Sequence, residues 1–170
     1  GFPSHASKVL KIDPERQTVT MIGDDIDPGF SERSKTGRYK FGGGCVGGDG
    51  SVYAFPSDSE RVLRIHPYTE KVELIGPSFE GRNKWQNGFL GRDGATYAIP
   101  CDADSVLRIG PPPEIEVSTF GGPFKGFEKW EGGVVGPDGN MYCLPQQSLS
   151  LLTIVPGPPR EGKGQETTMQ

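Results

Sequence analysis

Asp93-Gly94-Ala95-Thr96-Tyr97-Ala98-Ile99-Pro100, with Val106-Leu107-Arg108-Ile109 starting six positions past the proline, is the stretch that decides the fold. It decides because the chain repeats it. The tyrosine step returns as Tyr53-Ala54-Phe55-Pro56 and Tyr142-Cys143-Leu144-Pro145. The apolar run after it returns as Val62-Leu63-Arg64-Ile65 and Leu151-Leu152-Thr153-Ile154. Gly1-Phe2-Pro3 leads in the same way to Val9-Leu10-Lys11-Ile12. Asp49-Gly50, Asp93-Gly94 and Asp138-Gly139 lie 44 and 45 residues apart. A fixed period of this length marks a repeat architecture.

The rest of the unit keeps the same spacing. Lys40-Phe41, Lys84-Trp85 and Lys129-Trp130 each precede a glycine-bearing run and then the Asp-Gly step. After the Val-Leu-x-Ile run comes another break, Asp13-Pro14, His66-Pro67 or Gly110-Pro111. A last apolar stretch follows, at 19–22, 72–75 and 117–120, and each closes on a glycine, Gly23, Gly76 or Gly121. The unit thus has four short apolar runs and three breaks. Asp-Gly between apolar runs predicts a β-hairpin with a type I′ turn, which needs positive φ. Proline removes a ladder donor and suits the loops. No stretch sustains an apolar period of 3.6, so no helix is expected.

Four antiparallel strands in about 45 residues form the unit of a β-propeller blade. An up-and-down sandwich of short hairpins is the alternative, and the strict period favours the propeller. The fold class expected is all-β, with four-stranded antiparallel blades and an incomplete ring. Residues 2–22 supply part of one blade, 41–76 and 85–121 two full blades, and 130–154 part of a fourth. Residues 155–170, rich in proline, glycine and charge, are expected as a flexible tail.

The unit resembles the blades of repeat β-propeller proteins, in the broad company of kelch, NHL and YncE-like repeats. The nearest resemblance is to tandem repeats running Lys-Trp-x-Gly-Gly-Val-x-Gly-x-Asp-Gly-x-Ile-Tyr-x-Ile-Pro and then Val-Leu-x-Ile-Asp-Pro. The match lies in 129–145 and 6–14, and the resemblance covers residues 2 to 154. The separated Tyr and Trp of kelch repeats do not follow the Gly-Gly here, so the kelch family itself is not assigned. The resemblance implies an architecture and says almost nothing about chemistry.

Composition agrees with a turn-rich fold, at 26 glycines and 16 prolines in 170 residues. A net charge of −4 leaves no basic footprint, which argues against nucleic acid and anionic membranes as partners. No apolar run is long enough for a membrane-spanning helix. Propellers close with about four to eight blades, and this chain carries strands for about three. Three readings follow: a fragment of a longer array, a ring completed by self-association or by a protein partner, or an open array with covered edges.

Candidate chemistry is sparse. His5 and His66 have no Cys or His at metal-ligand spacing and read as surface or turn residues. Cys45, Cys101 and Cys143 are odd in number and lack a Cys-x-x-Cys, which disfavours a disulfide framework and favours a reducing compartment. Asp49, Asp93 and Asp138 read as turn residues accepting from nearby backbone. Asp58 and Asp102 share a loop that lines one face of a ring or is hydrophilic filler. Tyr53, Tyr97 and Tyr142 are expected in the core with hydroxyls on backbone partners. No metal or other cofactor is expected.

The richest constellation is Lys40, Phe41, Lys84, Trp85, Lys129 and Trp130, with Asn87 breaking the symmetry. The aromatics either wedge between adjacent blades or form, with the lysines, a ring at the channel mouth that contacts an anionic or planar ligand or a peptide. The charged insertion at 24–39 is a second candidate surface. Two function classes remain: a non-catalytic interaction scaffold or structural subunit binding a protein partner through a ring face, and a propeller lyase or hydrolase with its site at the channel. The positions expected on inner strands carry Gly, Val, Phe and Cys and no His, which favours the scaffold.

Overall fold

The computed structural model describes residues 1–27, 29 and 37–159. Over these residues the chain forms thirteen strands in four antiparallel sheets, with no helix among them. β1 (Val9–Asp13) and β2 (Thr18–Ile22) form a two-stranded sheet. β3 (Phe41–Val46), β4 (Val52–Pro56), β5 (Val62–Ile65) and β6 (Val72–Ile75) form a four-stranded meander. β7 (Trp85–Leu90), β8 (Thr96–Pro100), β9 (Val106–Ile109) and β10 (Val117–Phe120) repeat it. β11 (Trp130–Val135), β12 (Met141–Pro145) and β13 (Leu152–Ile154) make a three-stranded version.

Each sheet is a blade, and the blades stand side by side. The first strands of successive blades are neighbours, β3 beside β7 and β7 beside β11. This crowding explains the glycine runs there. A Cβ on Gly43 would fall 2.5 Å from the backbone nitrogen of Asn87 on the next blade. The arc is not closed into a ring.

The core lies between blades, and the two-residue period of the strands builds it. Tyr53, Phe55 and Val62 leave one face of the first full blade and pack with Trp85, Ala98, Leu107, Ile109 and Val117 of the next. Tyr97, Ile99 and Val106 leave the far face of that blade and pack with Trp130, Met141, Cys143 and Ile154. Val9 packs with Phe41, Ala54, Leu63 and Ile65 in the same manner. β4 and β8 therefore bury residues of both parities, with Ala54 and Ala98 facing one neighbour and Phe55 and Ile99 the other.

The Asp-Gly hairpins form, but not with the turn expected. Gly50, Gly94 and Gly139 have φ of 77, 78 and 76°, whereas their aspartates do not enter positive φ. The bonds Gly94 N–H to Gly91 O (2.9 Å) and Gly91 N–H to Ala95 O (2.7 Å) close a wider loop, a turn followed by one left-handed glycine. The expected type I′ turn, with two positive φ values, is replaced because the aspartate has another task. Its carboxylate accepts from the backbone two residues on, Ala95 N–H to Asp93 Oδ1 at 3.2 Å, and from the tyrosine hydroxyl, Tyr97 to Asp93 Oδ2 at 2.8 Å. Tyr53 and Tyr142 reach Asp49 and Asp138 at 3.1 and 2.7 Å. The tyrosines thus find carboxylates where backbone partners were expected. Gly94→Val is expected to lower stability by about 2 kcal/mol in urea unfolding, because a β-branched residue resists the left-handed region; an unchanged midpoint would remove this account of the hairpin.

Of the segment expected as a tail, residues 155–159 are described and 160–170 lie outside the described residues. Arg92 holds the first part. Its Nη2 donates to Pro156 O at 3.1 Å, its Nε to Gly157 O at 3.1 Å, and its Nη1 to Asp138 O at 2.6 Å. In the 24–39 insertion, Ile26 is buried in the first interblade cluster, while 28 and 30–36 lie outside the described residues. Among the described residues no helix is long and apolar enough to cross a membrane.

Candidate functional site: the loop face of the blades

The repeated lysines organise one face of the arc. Each follows a residue in the left-handed region: Tyr39, Asn83 and Glu128, at φ of 51, 47 and 47°. The loop after the strand-end proline folds back onto this step within each blade. Cys101 N–H and Ala103 N–H donate to Lys84 O, and Asp102 N–H donates to Asn83 O. The same three bonds recur at Ser57, Ser59 and Asp58, and at Gln146, Ser148 and Gln147.

The side chains of Lys84 and Lys129 then cross to the neighbouring blade, whereas Lys40 bonds within its own loop. Lys84 is buried, and its Nζ donates to Ser57 O (2.8 Å), Ser59 O (3.0 Å) and Gly81 O (3.0 Å). Lys129 Nζ donates to Cys101 O (2.7 Å) and Gly126 O (3.1 Å), and Lys40 Nζ to Gly37 O (2.9 Å). Removal from water lowers all three ammonium groups from their ordinary value, Lys84 to about 8. Two carboxylates tie the blades in the opposite direction: Asn83 N–H donates to Asp58 Oδ1 at 2.8 Å, and Glu128 N–H to Asp102 Oδ1 at 2.6 Å.

The aromatics beside the lysines are buried as well. Trp85 and Trp130 donate their Nε1–H to Ser105 O and Ser150 O at 2.8 and 2.7 Å, each within its own blade. Phe79 and Phe124 meet the two indoles edge-on, with ring centroids 5.0 and 5.3 Å apart. Lys40, Phe41, Lys84, Trp85, Lys129 and Trp130 therefore occupy the interblade wedge rather than an open channel mouth. Their ammonium and indole groups are used by backbone carbonyls. Asn87 alone among the candidates is exposed. It has φ of 55°, sits at the register shift in β7, and donates Nδ2–H to Glu131 O at 3.1 Å.

What reaches the surface of this face is a different set. A cavity of about 530 Å³ is lined by Tyr39, Asp58, Arg82, Asn83, Asp102 and Phe127, among others. A groove of about 590 Å³ continues from it, sharing Arg82, Asp102 and Phe127. Tyr39 and Phe127 are exposed aromatic rings at the cavity. Asp58 and Asp102 do line it, as one reading of their loop expected. His5 occupies their position in the preceding partial blade, two residues past Pro3, and its ring meets Tyr39 edge-on at 4.6 Å. Sequence reading passed over Tyr39, Asn83, Glu128 and Arg82. The available signal was their fixed place one and two residues ahead of the lysines.

Elsewhere the titratable groups are structural. The thiols of Cys45, Cys101 and Cys143 are free, and burial raises them to about 11, 11 and 12. His66 lies between Glu73, at 3.0 Å from Nε2, and Ser51, at 3.4 Å from Nδ1, in a network with Asp49 and Arg64 on the opposite side of the hairpin. No group of three or more His, Cys, Asp or Glu among the described residues is arranged to hold a metal ion.

No family model matches the chain, and no curated protein does. Solved structures do. A streptogramin B lyase aligns with a TM-score of 0.63 at 14% identity, over 88% of this chain and 48% of its own. Virginiamycin B lyase from Staphylococcus aureus aligns at 0.61 and 14%, over 91% and 51%. A catalytically inactive variant of the latter, solved with quinupristin, aligns at 0.59 and 16%, over the same 91% and 51%. The chain thus spans about half the length of the structures it matches. At this identity the likeness establishes the fold, and the chain is an open arc of β-propeller blades.

Proposed function

We propose that the chain is a non-catalytic interaction module, in a repeat β-propeller of the broad kelch, NHL and YncE-like kind, that binds a protein partner through its loop face. The observation that carries this reading is the pair of exposed rings, Tyr39 and Phe127, set around a cavity with Arg82. Aromatic side chains and arginine are the residues enriched at the centres of protein interfaces. The floor beneath them is preorganised by the interblade bonds of Lys84, Asp58 and Asp102, so a partner meets a surface that is already ordered. The buried lysines and tryptophans serve this surface by holding its loops, not by touching the partner.

The test is affinity selection of a random peptide library on the chain. Selected peptides are expected to lose at least tenfold in affinity to Phe127→Ala or Arg82→Glu at unchanged Tm. They should be indifferent to Tyr68→Ala, an exposed ring outside the cavity lining. Binders that ignore both cavity substitutions would overturn the assignment.

A propeller enzyme with its site at the channel is the second reading. It is favoured by the names of the structural neighbours and by the position of His5 beside Tyr39. Turnover of quinupristin by this chain, lost in His5→Ala, would replace the scaffold reading with this one.

A further inference from the structure

Around the loop-face cavity the blades depart from their own repeat. The position two residues past the repeated proline holds Asp58 and Asp102 in the two full blades, but His5 and Gln147 in the other two. The repeat therefore does not require a carboxylate there, and the two that occur both line the cavity. Each is held by one oxygen only. Oδ1 of Asp58 accepts from Asn83 N–H at 2.8 Å and Oδ1 of Asp102 from Glu128 N–H at 2.6 Å, while none of the described residues donates to Oδ2 of either. Arg82 lines the same cavity and forms no ion pair with them. The aromatic rings come from unlike repeat positions. Tyr39 stands one residue ahead of its lysine and Phe127 two ahead of its own, yet both line the cavity and are 61% and 71% exposed. The charge of the face is unbalanced as well. Asp58, Glu80, Asp102, Asp104 and Glu128 line the cavity and the groove that continues it. The cations there are Arg38, Arg82 and Lys84, and the last is already bonded to backbone carbonyls.

We infer that the cavity receives an arginine side chain of the partner, its guanidinium paired with the free oxygens of Asp58 and Asp102 and flanked by the Tyr39 and Phe127 rings. A guanidinium is planar, donates through five N–H groups and stacks on aromatic faces, so it uses carboxylates and rings at once. It is also more weakly hydrated than an ammonium and leaves water for such a cavity more readily. The free oxygens are preset, because a backbone N–H from the next blade fixes each carboxylate before a ligand arrives. An acidic partner segment would be repelled by them, and an apolar one would cover them without pairing them. The inference rests on the interaction reading above and adds the partner's chemistry to it.

NMR titration of the chain with acetyl-arginine methylamide tests it, with the citrulline analogue as a neutral control of nearly the same shape. The readout is the pair of backbone N–H resonances of Asn83 and Glu128, since these groups bond the two carboxylates. The arginine probe is expected to shift both saturably, and the citrulline probe to bind about tenfold more weakly. Asp58→Asn and Asp102→Asn keep an oxygen for the backbone N–H and remove the charge. Each is expected to weaken the arginine probe about threefold with unchanged circular dichroism. Added salt screens the pairing and should weaken the probe further. An equal response to the two probes, or arginine binding that ignores both substitutions, overturns the inference. So does a set of random-library peptides that lose affinity to Phe127→Ala yet carry no arginine, a result that leaves the interaction reading in place. Peptides indifferent to the cavity substitutions overturn both.

Discussion

Trp85→Ala is expected to destabilise the protein by about 3–5 kcal/mol in urea unfolding, the range for removing a buried aromatic side chain. The indole is 2% exposed and sits in the cluster that joins the two full blades, among Tyr53, Phe55, Leu107 and Ile109. Its loss opens a cavity at the seam, removes the edge-on contact with Phe79, and leaves Ser105 O without its indole donor. The two blades share no continuous hydrogen-bonded sheet, so side-chain packing joins them together with the few bonds made by Lys84 and Asp58. Trp130→Ala is expected to behave alike at the next seam. A change below about 1 kcal/mol would show that the aromatic is not a wedge, and would return it to the set of ligand-contacting candidates.

Lys84→Met is the second large effect, expected at about 3 kcal/mol at pH 7. Methionine fills the stem but leaves Ser57 O, Ser59 O and Gly81 O without their ammonium donor. The cost also acquires a pH dependence. Burial lowers the folded ammonium to about 8, against 10.5 in an unfolded chain. Between those values the unfolded state binds more protons than the folded one, so this group makes stability rise with pH from about 8 to 10.5. The thiols act in the opposite sense. Cys45, Cys101 and Cys143 hold their protons to about 11, 11 and 12 in the fold but lose them near 9.0 when unfolded, so they lower stability above pH 9. Urea midpoints at pH 7 and 9 separate the two: the gap between wild type and Lys84→Met should widen at pH 9. A constant gap would mean that Lys84 keeps its proton throughout.

Much of the fold was legible because it rests on repetition. The strands at 41–46, 52–56, 62–65 and 72–75 recur at the period set by Asp49-Gly50 and Asp93-Gly94, and each apolar run became a strand. The hairpin glycines were legible too, since positive φ is a property of the residue. The candidate site was legible only in part. Lys84 and Trp85 stood out as a repeated pair, but a lysine reads as a surface charge until its carbonyl partners are known. Those partners, Ser57 and Ser59, belong to a different repeat. Tyr39 and Phe127 gave no signal by residue type, because their positions hold Asn83 in the next unit and Arg82 in the preceding one, and only their fixed place ahead of the lysines marks them. The tyrosine hydroxyls were expected on backbone and found Asp93 and its equivalents, four residues earlier across the turn. The reason is that the hairpin folds the carboxylate back over the strand.

By itself the sequence determined the period, the strand content, the turn positions and the all-β blade architecture, because these depend on local backbone preference and two-residue alternation. The tertiary structure decided which face each side chain serves. Stacking the blades turned lysines into buried pins, left Tyr39, Arg82 and Phe127 lining the surface cavity, and left Leu144, Leu151, Ile12 and Val19 exposed. Those outcomes depend on contacts about 25 to 45 residues apart in the chain, and burial and hydrogen-bond partnership across such separations exist only once the blades are assembled.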